Sequence, residues 1–213
     1  MGKRVLVFGS SSSLATSLIN ELLQNDHHVT AFSSKQPKSN LPGNLNWIVL
    51  NSYKEIGEIP DFDLAYIFNG FFSPSKFREN DMELLEETIN INLTTPMLIV
   101  YQLVQSVTDF EVPRNIVIMG STSSYEGFSG SADYCAAKHG LVGFVRSLNQ
   151  EFKDTNLRFV LFSTGTLDNQ MGKKVVSNKH LLSEKKIAIS LVVHTSETGI
   201  EFEPELIVKR RHI

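Results

Sequence analysis

Short apolar runs recur along the first three quarters of the chain, at residues 4–8, 28–32, 46–50, 64–68, 115–119 and 158–162. Each has the length of a buried strand and is followed by polar or turn-forming residues. Between the runs the period changes. Leu14, Leu18, Ile19, Leu22 and Leu23 recur at helical spacing after the first run, and Gln24, Asn25 and Asp26 form a polar stop before the second. Leu84, Leu85, Ile89, Leu93, Met97, Leu98, Val100, Tyr101 and Val104 make an apolar stripe that predicts a helix of many turns over 82–107, in spite of Pro96. A second long helix is predicted over 132–152. The connections 33–45 and 51–63 are short and rich in Pro, Gly and Asn, so loops or single turns are expected there. Strands and helices alternating in this order predict an α/β fold, a doubly wound parallel sheet in a three-layer α/β/α arrangement. Residues 206–208 offer one further short strand.

A chain of 213 residues with 41% hydrophobic content can fill one core, and a single domain over 1–213 is expected. The 20 basic and 23 acidic side chains nearly balance, which argues against a partner that is nucleic acid or an anionic membrane surface. A small-molecule partner follows. Cys135 is the sole cysteine, so one chain holds neither an internal disulfide nor a cysteine metal site. The histidines show no ligand spacing, and no metal is expected. No apolar stretch has membrane-spanning length, and the first residues run into a strand without a secretory leader. A cytoplasmic location is therefore expected.

The chemistry concentrates after the fifth strand. Tyr134 and Lys138 stand four apart on the second long helix and so share a face. An ammonium beside a phenol favours the phenolate and moves its pKa toward the working range of a general acid and base. The fifth strand ends in Gly120-Ser121-Thr122-Ser123-Ser124, which puts the Ser121 hydroxyl at the carboxyl end of the sheet. Taken alone, each feature has a duller explanation: a surface Tyr–Lys pair, or a turn serine. Together, and in this order, the segment 131–148 with Ser121 upstream resembles the catalytic helix of the short-chain dehydrogenase/reductase family. Ile89-Asn90-Ile91-Asn92-Leu93 is similar to a motif in the preceding long helix of that family.

That resemblance, which covers about residues 3–165, implies a Rossmann-like fold and an NAD(P)-dependent oxidoreductase interconverting a carbonyl and an alcohol. It implies Tyr134 as proton donor and acceptor, Ser121 polarising the substrate oxygen, Lys138 lowering the Tyr134 pKa and holding the nicotinamide ribose, and Asn92 ordering a relay water. The cofactor half is less regular. Gly9-Ser10-Ser11-Ser12-Ser13-Leu14-Ala15 stands where the family has a three-glycine turn, with Ser13 and Ala15 in two of the glycine positions. Backbone and hydroxyl donors of Ser10, Ser11, Ser12, Ser13 and Leu14 are the expected phosphate ligands. Asn69-Gly70 stands in for an Asn-Asn-Ala-Gly segment, Asn51 follows the third strand, and Gly165-Thr166 closes the sixth near the nicotinamide position.

At the end of the second strand Ser33 replaces the acid that marks NAD, and Ser34, Lys35 and Lys38 offer donors and charge to a 2′-phosphate. NADP(H) is thus expected over NAD(H). A substrate loop is expected at about 166–187, where Lys173, Lys174, Lys179, His180, Lys185 and Lys186 would suit an anionic carbonyl or alcohol substrate, or simply form a solvated loop. By resemblance, the two long helices would pair between subunits in a homodimer or homotetramer. Two other readings remain open. One is a cofactor-binding sensor or scaffold without turnover, suggested by the altered glycine turn. The other is an epimerase or dehydratase of the same superfamily, disfavoured because only about fifty residues follow Gly165.

Overall fold

The computed structural model describes residues 2–37, 43–174, 181–195 and 204–208. Seven strands are described: β1 (Arg4–Phe8), β2 (His28–Ser33), β3 (Leu45–Val49), β4 (Leu64–Ile67), β5 (Arg114–Met119), β6 (Leu157–Thr164) and β7 (Glu205–Val208). They form one parallel sheet in the order β3-β2-β1-β4-β5-β6-β7, with the reversal between β1 and β4 opening a crevice at the carboxyl ends of the strands. The helices are α1 (Ser13–Gln24), α2 (Met82–Ile89), α3 (Thr95–Ser106), α4 (Ala132–Glu151) and α5 (Glu184–Thr195).

Alternation along the central strands divides the core in two. Leu6, Phe8, Ala65, Ile67, Ile116, Ile118, Phe159 and Leu161 face α3 and α4, whereas Val5, Val7, Leu64, Tyr66, Val117, Val160 and Phe162 face α1 and α5. Both layers are apolar because both faces of a parallel sheet are covered. Each fully buried Leu or Phe in them contributes roughly 1.5–3 kcal/mol of transfer free energy. The connection between β3 and β4, described throughout, contains no helix, in agreement with the loop expected over 51–63. There Leu50, Ile56 and Phe62 insert directly into the core on the α3 side. Gln102 of α3 fixes that loop, accepting from the Ile56 N–H at 3.0 Å and donating to the Tyr53 carbonyl at 2.9 Å.

The long helix predicted over 82–107 is present in three parts, because a π-helical turn, Asn90–Thr94, separates α2 from α3. Pro96 supplies the physical reason. Lacking an N–H, it cannot donate to the Asn92 carbonyl four residues back, and the wider turn takes up the break. Helix α5 was not foreseen from the sequence. Because it begins at Glu184, the substrate loop expected to run to 187 ends earlier, and Lys185 and Lys186 lie on the helix. Ile187, Ala188 and Leu191 bury α5 against the sheet, and its last turn is anchored by the Asn115 side chain, which donates to the Thr195 carbonyl at 3.0 Å. Lys38, Lys179 and His180 lie outside the described residues.

Candidate active site

Strand β5 delivers Ser121 to the carboxyl edge of the sheet. Its hydroxyl caps the single helical turn Thr122–Ser124, accepting from the Ser123 N–H at 3.1 Å, while the Ser124 hydroxyl accepts from the Ser121 N–H at 3.2 Å. This reciprocal pair holds the Ser121 side chain in place. Gly120, just before it, is required by packing, since a Cβ there would stand 2.2 Å from the Ser163 hydroxyl. Helix α4 then brings Tyr134 within hydrogen-bonding reach of Ser121. Phe72, from the loop after β4, packs edge-on against the Tyr134 ring with centroids 4.9 Å apart.

Lys138 lies one turn further along α4 and is buried, 3% exposed. Its ammonium donates to the Met119 carbonyl at 2.9 Å and lies 5.7 Å from the centre of the Tyr134 ring. Burial pulls Lys138 down from its ordinary 10.5 to about 8 and pushes the Tyr134 phenol up to about 12, against the hydrogen bond with Ser121. The expected lowering of Tyr134 by Lys138 is therefore not met in the protein alone. Desolvation dominates at the phenol, and the Lys138 ammonium is itself disfavoured by burial.

Asn92 is fully buried in the π-helical turn. Its amide donates to the Phe71 carbonyl at 2.7 Å and the Thr88 carbonyl at 2.9 Å and accepts from the Phe71 N–H at 3.1 Å. Both side-chain donors are thus engaged, one clamping the loop after β4 and the other turned back onto α2. Pro96, which has no N–H, leaves the Asn92 backbone carbonyl without its α-helical donor. Gly70 faces this clamp, since a Cβ there would sit 3.6 Å from the Asn92 side-chain oxygen.

The turn after β1 is built differently from the expectation. Gly9 has φ +72°, and a Cβ on it would come within 2.9 Å of the Phe68 and Asn69 backbone, so glycine is needed both for conformation and for close approach. Ser10, expected as a phosphate ligand, is fully buried, with its hydroxyl donating to the Val7 carbonyl at 2.6 Å and its N–H to the Phe32 carbonyl at 3.2 Å. It faces the interior. Ser12 caps α1, accepting from the Ala15 N–H at 3.2 Å, while its own N–H donates to the Gly9 carbonyl. The Ser13 hydroxyl donates to the Glu184 carboxylate at 2.6 Å. What the turn still offers is the exposed Ser11 and the N–H groups of Ser13 and Leu14 at the amino end of α1.

Around that turn, Asn69 presents a buried side-chain oxygen without a partner, and the Tyr53 phenol lies against the Asn69 amide and the Gly9 backbone. Burial pushes the Tyr53 phenol up, and those two contacts oppose the shift. Ser33 is buried at the end of β2, where its hydroxyl accepts from the Lys35 N–H at 3.1 Å, and Ser34 and Lys35 are exposed beyond it. Asn51 is exposed at the same end of the sheet. Gly165 donates its N–H to the Val208 carbonyl at 3.0 Å, and the Thr166 carbonyl accepts from the Leu182 N–H at 2.8 Å, which closes the base of the loop after β6. In that loop Lys173 pairs with Asp168 at 3.3 Å.

Tyr53, Phe72 and Glu184 were not anticipated as site residues. No local motif marks them, because each reaches the site through a contact distant in sequence. Among the described residues no group of His, Cys, Asp or Glu could hold a metal ion, and no helix is long and apolar enough to cross a membrane.

Residues 64–180, more than half of the chain, match the family model for short chain dehydrogenases. Nodulation protein G of Rhizobium meliloti (strain 1021) is 27% identical over 116 residues, 53% of this chain and 44% of that protein. The 3-oxoacyl-[acyl-carrier-protein] reductase FabG of Rickettsia felis (strain ATCC VR-1525 / URRWXCal2) is 23% identical over 190 residues, 89% of this chain and 73% of that protein. The chain spans about half the length or less of several curated relatives that it matches. A short-chain dehydrogenase from Burkholderia cenocepacia J2315 in complex with NADP superposes with a TM-score of 0.86 at 14% identity, covering 98% of this chain and 89% of that one. At that identity the likeness shows the fold.

Proposed function

Because this chain belongs to the short-chain dehydrogenase family, we propose that it is an NADP(H)-dependent oxidoreductase interconverting a carbonyl and an alcohol, with Tyr134 as general acid and base. The observation that carries the reading is the convergence of Ser121, Tyr134 and Lys138 at the carboxyl end of β5. Ser121, held by its reciprocal cap, hydrogen-bonds the substrate oxygen. In the reductive direction Tyr134 gives that oxygen its proton, and in the oxidative direction it takes the proton back. A phenol held near 12 is protonated throughout the neutral range and suits the reductive direction. The Lys138 ammonium, with one of its three donors on Met119, stabilises the phenolate as the proton leaves.

The residues present fit a dinucleotide. Gly9 lets the turn after β1 close tightly on the backbone of Phe68 and Asn69, and the Asn69 oxygen is buried without a partner beside it. Ser11 and the Ser13 and Leu14 N–H groups would hold the phosphates, with Asn69, Gly70, Asn51, Gly165, Thr166 and Lys138 around the remainder. When bound, NADP(H) supplies or accepts the hydride at its nicotinamide. Solved relatives crystallised with NADP support this choice of cofactor. Self-association through the long helices is supported by Met97 and Tyr101, apolar and exposed on α3.

Exposed Ser34 and Lys35 at the end of β2, with no acid between them and the strand, favour a 2′-phosphate. Fluorescence titration should give a lower Kd for NADPH than for NADH, and Lys35→Ala with Lys38→Ala should reduce that preference. Tighter NADH binding, or a preference unmoved in the double variant, would contradict the choice of NADP(H).

Lys138 also predicts a pH dependence of stability. Below about 8 it is charged in both folded and unfolded chains, and folding bears the full cost of burying the charge. Between about 8 and 10.5 the folded chain sheds the proton first, so stability rises with pH. Thermal melts of wild type and Lys138→Met should show the wild-type Tm rising relative to the variant across that window. A constant difference would remove the assigned shift.

A further inference from the structure

The first turn of α5 places a carboxylate where the cofactor turn would receive an anion. Glu184 Oε1 accepts from the Ser13 hydroxyl at 2.6 Å and from the Asn169 side-chain amide at 2.8 Å. Ser13 is the first residue of α1, and the N–H groups of Ser13 and Leu14 beside it are the donors left to a phosphate. Helices α1 and α5 pack side by side through Leu14, Ala15 and Leu18 on one and Ile187, Ala188 and Leu191 on the other, which fixes Glu184 against the amino end of α1. The positive end of a helix attracts negative charge, and in this protein a carboxylate of the chain is held at that end through the Ser13 hydroxyl. Ser13 is also what makes the contact possible, since a glycine there would have no hydroxyl to donate.

The geometry points to Glu184 as a built-in competitor for the cofactor turn: its fixed negative charge lowers the affinity of that turn for the diphosphate of a dinucleotide. This rests on the reading of the Gly9–Leu14 turn as the dinucleotide site. Asn169, on the loop after β6, steadies the carboxylate in that position. The charge acts on the diphosphate, which NADPH and NADH share. Its effect is therefore equal for the two cofactors, unlike that of Lys35, and absent for a ligand without phosphate.

The test compares wild type with Glu184→Gln, which keeps an oxygen for Ser13 and Asn169 and removes the charge. Calorimetric titration with NADPH, NADH, ADP-ribose and adenosine, at low and high salt, supplies the readout. Glu184→Gln should tighten NADPH, NADH and ADP-ribose by a similar factor, on the order of tenfold for one unit charge removed at the edge of a partly solvated site. Adenosine should be unchanged. High salt should narrow the gap, because the contact is at the surface and screened. Dinucleotide binding that is intact but equal in wild type and variant, weaker in the variant, or changed for adenosine as well would make Glu184 a structural tether and overturn the inference while leaving the function standing. Failure of both proteins to bind any of the three phosphate-bearing ligands would overturn the cofactor-site reading and the inference with it.

Discussion

Tyr134→Phe is expected to fold and bind NADPH much as the wild type does, and to lose turnover by about 10²–10⁴-fold. The substitution removes one hydroxyl and keeps the ring, so the edge-on contact with Phe72 and the packing of α4 survive. What disappears is the proton at the substrate oxygen, and among the described residues neither Ser121 nor Lys138 is placed to replace it. Ser121 is an alcohol of higher pKa already engaged with the Ser123 N–H, and Lys138 is directed at the Met119 carbonyl. The loss should appear in kcat with little change in KM, because the phenol acts mainly in the transition state. Steady-state kinetics with a reducible carbonyl, beside a cofactor titration, would check this. A variant retaining more than about a tenth of the activity would take the proton-transfer role from Tyr134.

Gly9→Ala should be the most damaging small substitution in the cofactor half. A left-handed backbone at φ +72° costs a non-glycine residue about 1–2 kcal/mol. The added methyl must also displace the backbone of Phe68 and Asn69, which a Cβ would approach to 2.9 Å. Overpacking of this kind typically costs about 1–3 kcal/mol, so a total of roughly 2–5 kcal/mol is expected. The same movement would push Asn69 away from the turn and take its unpartnered oxygen with it. Denaturant unfolding should show the stability loss, and NADPH titration a parallel loss of affinity. Normal stability and normal binding together would mean that the β1–β4 crevice is looser than its geometry indicates.

The sheet and its layers were legible because burial on both faces leaves continuous apolar runs, and the runs at 4–8, 64–68, 115–119 and 158–162 became the four central strands. The grouping of the candidate site residues was legible for a related reason: Tyr134 and Lys138 are fixed by helical spacing, and Ser121 by the end of a strand. Helix α5 was missed because only Ile187, Ala188, Leu191 and Thr195 are buried in it, too sparse a stripe beside exposed Ile189 and Val193. The serines of the first turn were misjudged for another reason. All four look alike as hydroxyl donors, but the structure turns Ser10 inward to Val7, makes Ser12 a cap and joins Ser13 to Glu184, 171 positions away. Contacts of that range leave no local pattern to read. Tyr53 is similar, since nothing in its own segment indicates that it will reach Asn69 and Gly9.

Hydride transfer with a proton handled by Tyr134, rather than mere binding of a dinucleotide, is the activity proposed for this chain. Deuterium transfer tests it most directly: NADPH labelled at the nicotinamide C4 position is incubated with a broad panel of carbonyl compounds, and the alcohols formed are analysed by mass spectrometry. Label is expected in at least one alcohol with wild type, with a loss of about 10²–10⁴-fold in its rate of appearance with Tyr134→Phe. NADPH binding without label in any product, or labelling as fast in Tyr134→Phe as in wild type, would contradict it.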